Sequence, residues 1–211
     1  MTPTTGPGRF GADEAGRHPA AGGADVHRIL LIPGSLRRRS TNVAVLRTVQ
    51  LVAPEDTAAV LFTGLGELPP FNPDDDEDPL DPTVADLRAQ IRAADGIVFS
   101  TPEYAGALPG AFKNLLDWTV GDDRPGSIYE KPVGWVNASP RGAPNAHESL
   151  RRVLGYVKAT IVEPACLHIP VTADMLDDEL IADPSIRARL ADALAALDAR
   201  ITRGGSHPSG H

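Results

Sequence analysis

Gly34-Ser35-Leu36-Arg37-Arg38-Arg39-Ser40-Thr41-Asn42 follows the apolar run Ile29-Leu30-Leu31-Ile32 and precedes a segment in which Val45, Leu46, Val49 and Val52 recur at three- and four-residue spacing. The order reads as a strand, a tight polar loop and the start of a helix. At such a start, backbone N–H groups without intrahelical acceptors and the positive end of the helix dipole favour an anion. Hydroxyls at Ser35, Ser40 and Thr41, the Asn42 amide and the Arg37 guanidinium add side-chain donors. The same residues also suit a plain N-cap at Ser40 or Thr41 with three solvated arginines.

Other phosphate loops fit less well. A nucleoside-triphosphate loop needs a Lys before its Ser/Thr, where this chain has Arg39, and lacks the glycines of that motif. A dinucleotide fingerprint needs three glycines so that the backbone can approach a pyrophosphate, and only Gly34 is present. The loop suits one terminal phosphate.

Outward from it, aliphatic runs alternate with helical patterns. Strands are expected at Ile29 to Ile32, Ala59 to Phe62, Ile97 to Ser100 and Val133 to Val136, with a fifth within Thr160 to Ile169 that Pro164 interrupts. Helices are marked by Val84, Leu87, Ile91 and Ala94, by Leu108, Phe112, Leu115 and Thr119, and by Leu150, Val153, Leu154 and Val157. A last helix carries Ile186, Leu190, Leu194, Leu197 and Ile201. The alternation predicts an α/β protein, a doubly wound five-stranded parallel sheet of flavodoxin-like order 2-1-3-4-5. Ligands of such sheets bind at the carboxyl ends of the strands, so the loops after Ile32 and Ser100 should face one ligand. Six carboxylates between Asp74 and Asp81 lack the glycine turn and closing Glu of a calcium loop and are expected to be solvated.

At 211 residues and 42% hydrophobic content, the chain fits one domain. Residues 1–26, rich in Gly, Ala, Pro and Thr, are expected to be a disordered arm, 27–203 the folded domain and 204–211 a disordered tail whose two histidines are not metal ligands. No apolar run is long enough to span a membrane, and the N-terminus lacks the apolar core of a signal peptide, so a cytoplasmic protein without membrane insertion is expected. The single Cys166 sits among apolar neighbours as a structural thiol. A formal charge of −8 argues against nucleic acid as a partner and means that any anionic cofactor is held by local positive charge.

The loop after the third strand, Thr101-Pro102-Glu103-Tyr104-Ala105-Gly106-Ala107-Leu108-Pro109-Gly110, combines prolines that restrict the backbone with glycines that let a flat ligand approach. Alone it also reads as a structural crossover with Tyr104 packed inward. Together with Gly34-Ser-Leu-Arg-x-x-Ser-x-Asn42, Leu68-Pro-Pro-Phe-Asn72 and Lys113-Asn-x-x-Asp-Trp118, it resembles the NADPH-dependent FMN reductase family, which includes quinone, chromate and azo-dye reductases.

The resemblance implies FMN as cofactor and NADPH or NADH as electron donor. It places the FMN phosphate on Ser35 to Asn42, with Arg37, Ser40 and Asn42 as its main side-chain ligands and Thr41 beside them. Pro102, Glu103, Tyr104 and Ala105 would line the isoalloxazine largely through backbone groups, and Ser139 would supply the other edge. Tyr104 would flank the exposed flavin face and Arg141 meet a phosphate of NADPH. Two departures stand out: Ala105 occupies a position where many members have Asn, and Ala143-Pro144-Asn145 replaces a glycine-rich run. The implied cycle is ping-pong, with hydride passing from the nicotinamide to flavin N5 and then electrons to a small-molecule acceptor: a quinone, free flavin, an azo compound or an oxidised metal anion. No catalytic side chain is required, because the cofactor carries the chemistry. A homodimer or homotetramer is implied, with Phe112 and Trp118 in the segment Leu108 to Trp118 expected at the interface. The alternatives are a non-enzymatic flavodoxin-type electron carrier and a flavin-binding scaffold.

Overall fold

The structure, a computed structural model, describes residues 26–205. All of the expected arm 1–26 but its last residue, and residues 206–211 with His207 and His211, lie outside them. Strands β1 (His27–Pro33), β2 (Thr57–Leu61), β3 (Gly96–Ser100), β4 (Pro132–Asn137) and β5 (Thr160–His168) form one parallel sheet in the order β2-β1-β3-β4-β5. Helices α1 (Thr41–Val52), α2 (Pro82–Ala93), α3 (Gly110–Val120), α4 (Pro144–Tyr156) and α5 (Pro184–Gly205) cover it. The fold is the flavodoxin-like α/β fold expected.

Successive residues of a strand face opposite sides of a sheet, which is why apolar runs without alternation build this one. Leu30 and Ile32 of β1 join Ile97, Phe99, Val133 and Trp135 in the core beneath α2, α3 and α4. Ile29 and Leu31 join Val98 and Val136 in the core beneath α1 and α5. Pro164 does not end the fifth strand. Ile161 pairs with Val133 and Cys166 with Trp135, so the register shifts between them and the proline, which has no N–H to donate, is carried in an irregularity on the sheet edge.

Several expectations are corrected. Phe112 and Trp118 are buried in the core and present no surface to a second subunit. The motif that contains them locks the fold: Asn114 donates to the Pro69 carbonyl at 2.8 Å and accepts from the Phe71 N–H at 2.7 Å, and Trp118 Nε1 donates to the same Pro69 carbonyl at 2.8 Å. The acidic loop is only partly solvated, because Asp76 meets the buried Arg88 at 2.7 Å and Asp81 caps α2 through the Thr83 N–H. Helix α5 continues through Gly205, two residues past the boundary expected at 203. Glycine costs a helix about 1 kcal/mol per residue, which is too little to stop one already formed.

One element has no counterpart in the sequence reading. Strands β6 (Leu176–Asp177) and β7 (Leu180–Ile181) form a two-stranded antiparallel hairpin turning at Asp178 and Glu179. The Ile181 N–H donates to Thr48 Oγ1 at 3.0 Å, which fastens the hairpin to α1. Among the described residues, no helix is long and apolar enough to cross a membrane, and no group of three or more His, Cys, Asp or Glu is placed to hold a metal ion.

Candidate active site

The loops after β1, β3 and β4 meet at the carboxyl end of the sheet. Extension of the β1–β3 pairing brings the Gly34 N–H to the Ser100 carbonyl at 2.8 Å. A Cβ on Gly34 would lie 2.3 Å from Thr101 Oγ1 and 2.6 Å from Thr101 Cβ, so glycine is what lets the first loop close on the third. The Ser100 hydroxyl donates to the Val136 carbonyl at 2.7 Å, with Asn42 Oδ1 sharing the same proton at 3.0 Å. One buried serine thus joins the ends of β3 and β4 to the first turn of α1.

In the first loop, Ser35 is buried and its Oγ accepts from the Arg37 N–H at 3.3 Å. Ser40 is the N-cap residue of α1, as one reading of the sequence had it, yet its hydroxyl caps nothing. Both Ser40 and Asn42 are buried, at 6% exposure each. With Asn42 Oδ1 turned to Ser100, its amide nitrogen and the Ser40 hydroxyl have no partner among the described residues. Thr41 is half-buried, and the Arg37, Arg38 and Arg39 side chains are exposed and form no ion pair among the described residues. No carboxylate occurs from 34 to 42. Unpartnered donors on buried residues at a helix start are a donor set that suits a phosphate monoester, so the residues fit the group the sequence implied.

The third loop folds back on itself. Tyr104 and Ala107 exchange two backbone hydrogen bonds of 3.0 Å across Ala105 and Gly106, at φ 49° and 72°. Two left-handed residues in succession make a primed turn, a conformation that favours Asn-Gly and strains Ala105. Pro102 and Glu103 are half-buried, whereas Tyr104 and Ala105 are exposed. A cleft of about 380 Å³ opens between the first and third loops, lined by Leu36, Arg37 and Gly34 on one side and Tyr104, Pro109, Gly110 and Ala111 on the other. Tyr104 is therefore a wall of the cleft and does not pack inward.

The fourth loop is braced by Asn137, whose Oδ1 accepts from the Ser139 N–H at 3.0 Å and whose Nδ2 donates to the Gly142 carbonyl. Ser139 is half-buried with its Oγ accepting from the Arg141 N–H at 3.3 Å. Arg141 is exposed, and neither residue lines the 380 Å³ cleft.

Two functional features were missed by sequence reasoning. The Glu103 carboxylate accepts from the Ala146 N–H at 3.0 Å. It caps α4 from another loop, because the residue preceding that helix, Ala143, sits at φ 41° with no side-chain oxygen to offer. The third and fourth loops are thereby stitched together. His147, one residue on, is buried; its Nδ1 donates to the Ala143 carbonyl at 2.9 Å and its Nε2 has no partner. Burial pulls the imidazole below its ordinary pKa, with the Ala143 bond opposing, so it is neutral at pH 7. A lone histidine in a helix carries no sequence signal that foretells this. Burial also pushes the Cys166 thiol up to about 12, which makes it inert, as expected.

A sequence profile of the NADPH-dependent FMN reductases matches residues 27–174. An NAD(P)H-dependent FMN reductase of Pseudomonas aeruginosa is 33% identical over 183 residues, covering 85% of this chain and 98% of its own. A probable NADPH:quinone oxidoreductase 2 of Oryza sativa subsp. japonica is 31% identical over 180 residues, covering 82% and 87%. Among solved structures, the flavoenzyme NAD(P)H:(acceptor) oxidoreductase FerB from Paracoccus denitrificans superimposes with a TM-score of 0.73 at 25% identity, covering 84% of this chain and 98% of its own.

Proposed function

The chain belongs to the NADPH-dependent FMN reductase family, an oxidoreductase of the FMN reductase and quinone reductase type that uses FMN and NAD(P)H, and from that premise we propose how its residues divide the work. The observation that carries the assignment is the pair of unpartnered donors on the buried residues Ser40 and Asn42 at the start of α1, next to an open cleft walled by Tyr104.

In this reading Ser35, Arg37, Ser40, Thr41 and Asn42 hold the FMN phosphate, with the first amides of α1 behind them. Pro102 to Ala105 support the isoalloxazine through the backbone, and Ser139 bounds its other edge. Bound FMN supplies hydride acceptance from the nicotinamide and two-electron delivery to the acceptor. The protein orients donor and acceptor in turn against one exposed face, which makes the kinetics ping-pong. Tyr104, 44% exposed, presents its ring to whichever partner is bound, and Arg141 meets a phosphate of the donor. Within residues 34–42 and 101–107 the only carboxylate is Glu103, whose Oε2 is engaged by α4. No side chain of these loops is needed as a general base.

The acceptor is a small oxidant, a quinone, a flavin, an azo compound or an oxidised metal anion, and the cleft's mostly apolar lining favours the flat organic members of that set. Residues 27–203, extended by the end of α5 to Gly205, form the flavin domain, working as a homodimer or homotetramer whose interface uses surfaces other than Phe112 and Trp118. Comparing FMN with riboflavin by fluorescence titration tests the phosphate assignment: FMN should bind more tightly, and equal affinities would remove its basis.

A further inference from the structure

We propose that the groove between the start of α1 and the β6–β7 hairpin binds the 2′-phosphoadenosine end of NADPH, with Arg38 and Arg39 meeting the 2′-phosphate. The proposal rests on the NAD(P)H-dependent reading of the flavin site and assigns residues that the FMN assignment leaves unused.

The groove encloses about 250 Å³, below the size of a site for a whole drug-sized ligand and suited to one flat base with part of a ribose. Its floor is apolar, made of Val43 and Ala44 from α1 and Ala173 and Leu176 from the segment that leads into the hairpin. The polar lining is cationic: Arg47 is neutralised by an ion pair with Glu179, whereas Arg38 and Arg39 are exposed and have no acidic partner among the described residues. In a chain of formal charge −8, two adjacent unneutralised guanidiniums beside an apolar floor are out of keeping with the surface around them. Ser40 and Thr41 line the same groove. Ser40 and Thr41 also belong to the loop assigned to the FMN phosphate, so the groove adjoins that loop on its hairpin side.

The chemistry selects the ligand. NADPH and NADH differ only by the 2′-phosphate, a dianion that guanidinium forks bind through paired charge-assisted hydrogen bonds, and a flat purine suits an apolar floor. The hairpin completes the site. Thr48 holds Ile181, so the far wall is fixed to the helix whose first turn forms the near wall.

Arg38→Ala/Arg39→Ala is a surface change that leaves Arg37, Ser40 and Asn42 in place. Anaerobic stopped-flow reduction of the FMN-loaded protein should show NADPH binding weakened about tenfold or more in the double variant, with an unchanged limiting rate and unchanged NADH kinetics. Calorimetric titration gives a readout without turnover. Wild type should bind 2′,5′-ADP more tightly than 5′-AMP, and the double variant should bind both alike. Equal affinities in wild type, or a double variant that keeps the wild-type ratio of NADPH to NADH, would overturn the proposal. If neither nucleotide reduces the wild-type flavin, the oxidoreductase reading fails by itself, and the 2′,5′-ADP titration still decides the groove.

Discussion

Replacing Glu103 with alanine removes the one acceptor that the Ala146 N–H has among the described residues. Helix α4 has no substitute: Ala143 at its N-cap has no side-chain oxygen, and Pro144 at the next position contributes no N–H. Ala146 is fully buried, so the lost carboxylate leaves its N–H without a protein acceptor, and the cost belongs in the range of a lost helix cap, about 1–2 kcal/mol. For a chain of this size that lowers the melting temperature by roughly 3–6 °C. Glu103→Gln retains a carbonyl oxygen in place and should lose less than half as much. Because the bond joins the loop under the proposed flavin to the turn on its other edge, FMN affinity should fall with Glu103→Ala and largely recover with Glu103→Gln. Thermal melts of both variants, with and without FMN, and fluorescence titrations measure the two effects. A Glu103→Ala protein that melts and binds FMN as wild type does would refute the stitch between the loops.

The strained turn offers the opposite sign: Ala105→Asn, at φ 49° before Gly106, should raise stability by about 1 kcal/mol, readable by urea denaturation. Arg37→Ala deletes a charge-assisted contact of about 1.5–3 kcal/mol, and FMN should bind roughly ten- to a hundredfold more weakly by fluorescence titration. An unchanged affinity would return Arg37 to bulk solvent. Lys131 is buried with its ammonium donating to the Ala94 carbonyl, and burial lowers its pKa to about 8 from 10.5. The folded state therefore releases this proton before the unfolded chain does, so stability should rise with pH between about 8 and 10.5, by about 1–2 kcal/mol once solvent screening is allowed for. Lys131→Met should be more stable than wild type at pH 7 and lose that slope; an identical slope in both proteins would assign it to other groups.

Strands β1 to β4 were legible because runs such as Ile29 to Ile32 are buried on both faces and stand out against polar loops. The loop and helix start after β1 were legible because Ser40, Thr41 and Asn42 are local to one helix start. What escaped depends on distant partners. Phe112 and Trp118 have the composition of an interface, and only the packing shows them serving the core against Phe99 and Phe71. The cap from Glu103 to Ala146 spans 43 positions, beyond the reach of capping rules that look three residues ahead. The β6–β7 strands have two residues each, too few for an alternation to register. The bracing of the fourth loop by Asn137 is a local turn, and Asn137 followed two residues later by Ser139 was the signal available for it.

Anaerobic mixing of the FMN-loaded protein with excess NADPH, followed at the flavin's visible absorbance band, tests the central claim most directly. The band should bleach in a single phase on NADPH addition and return when a quinone is added. A flavin that stays oxidised under excess NADPH would contradict that claim and leave a carrier or a scaffold in its place.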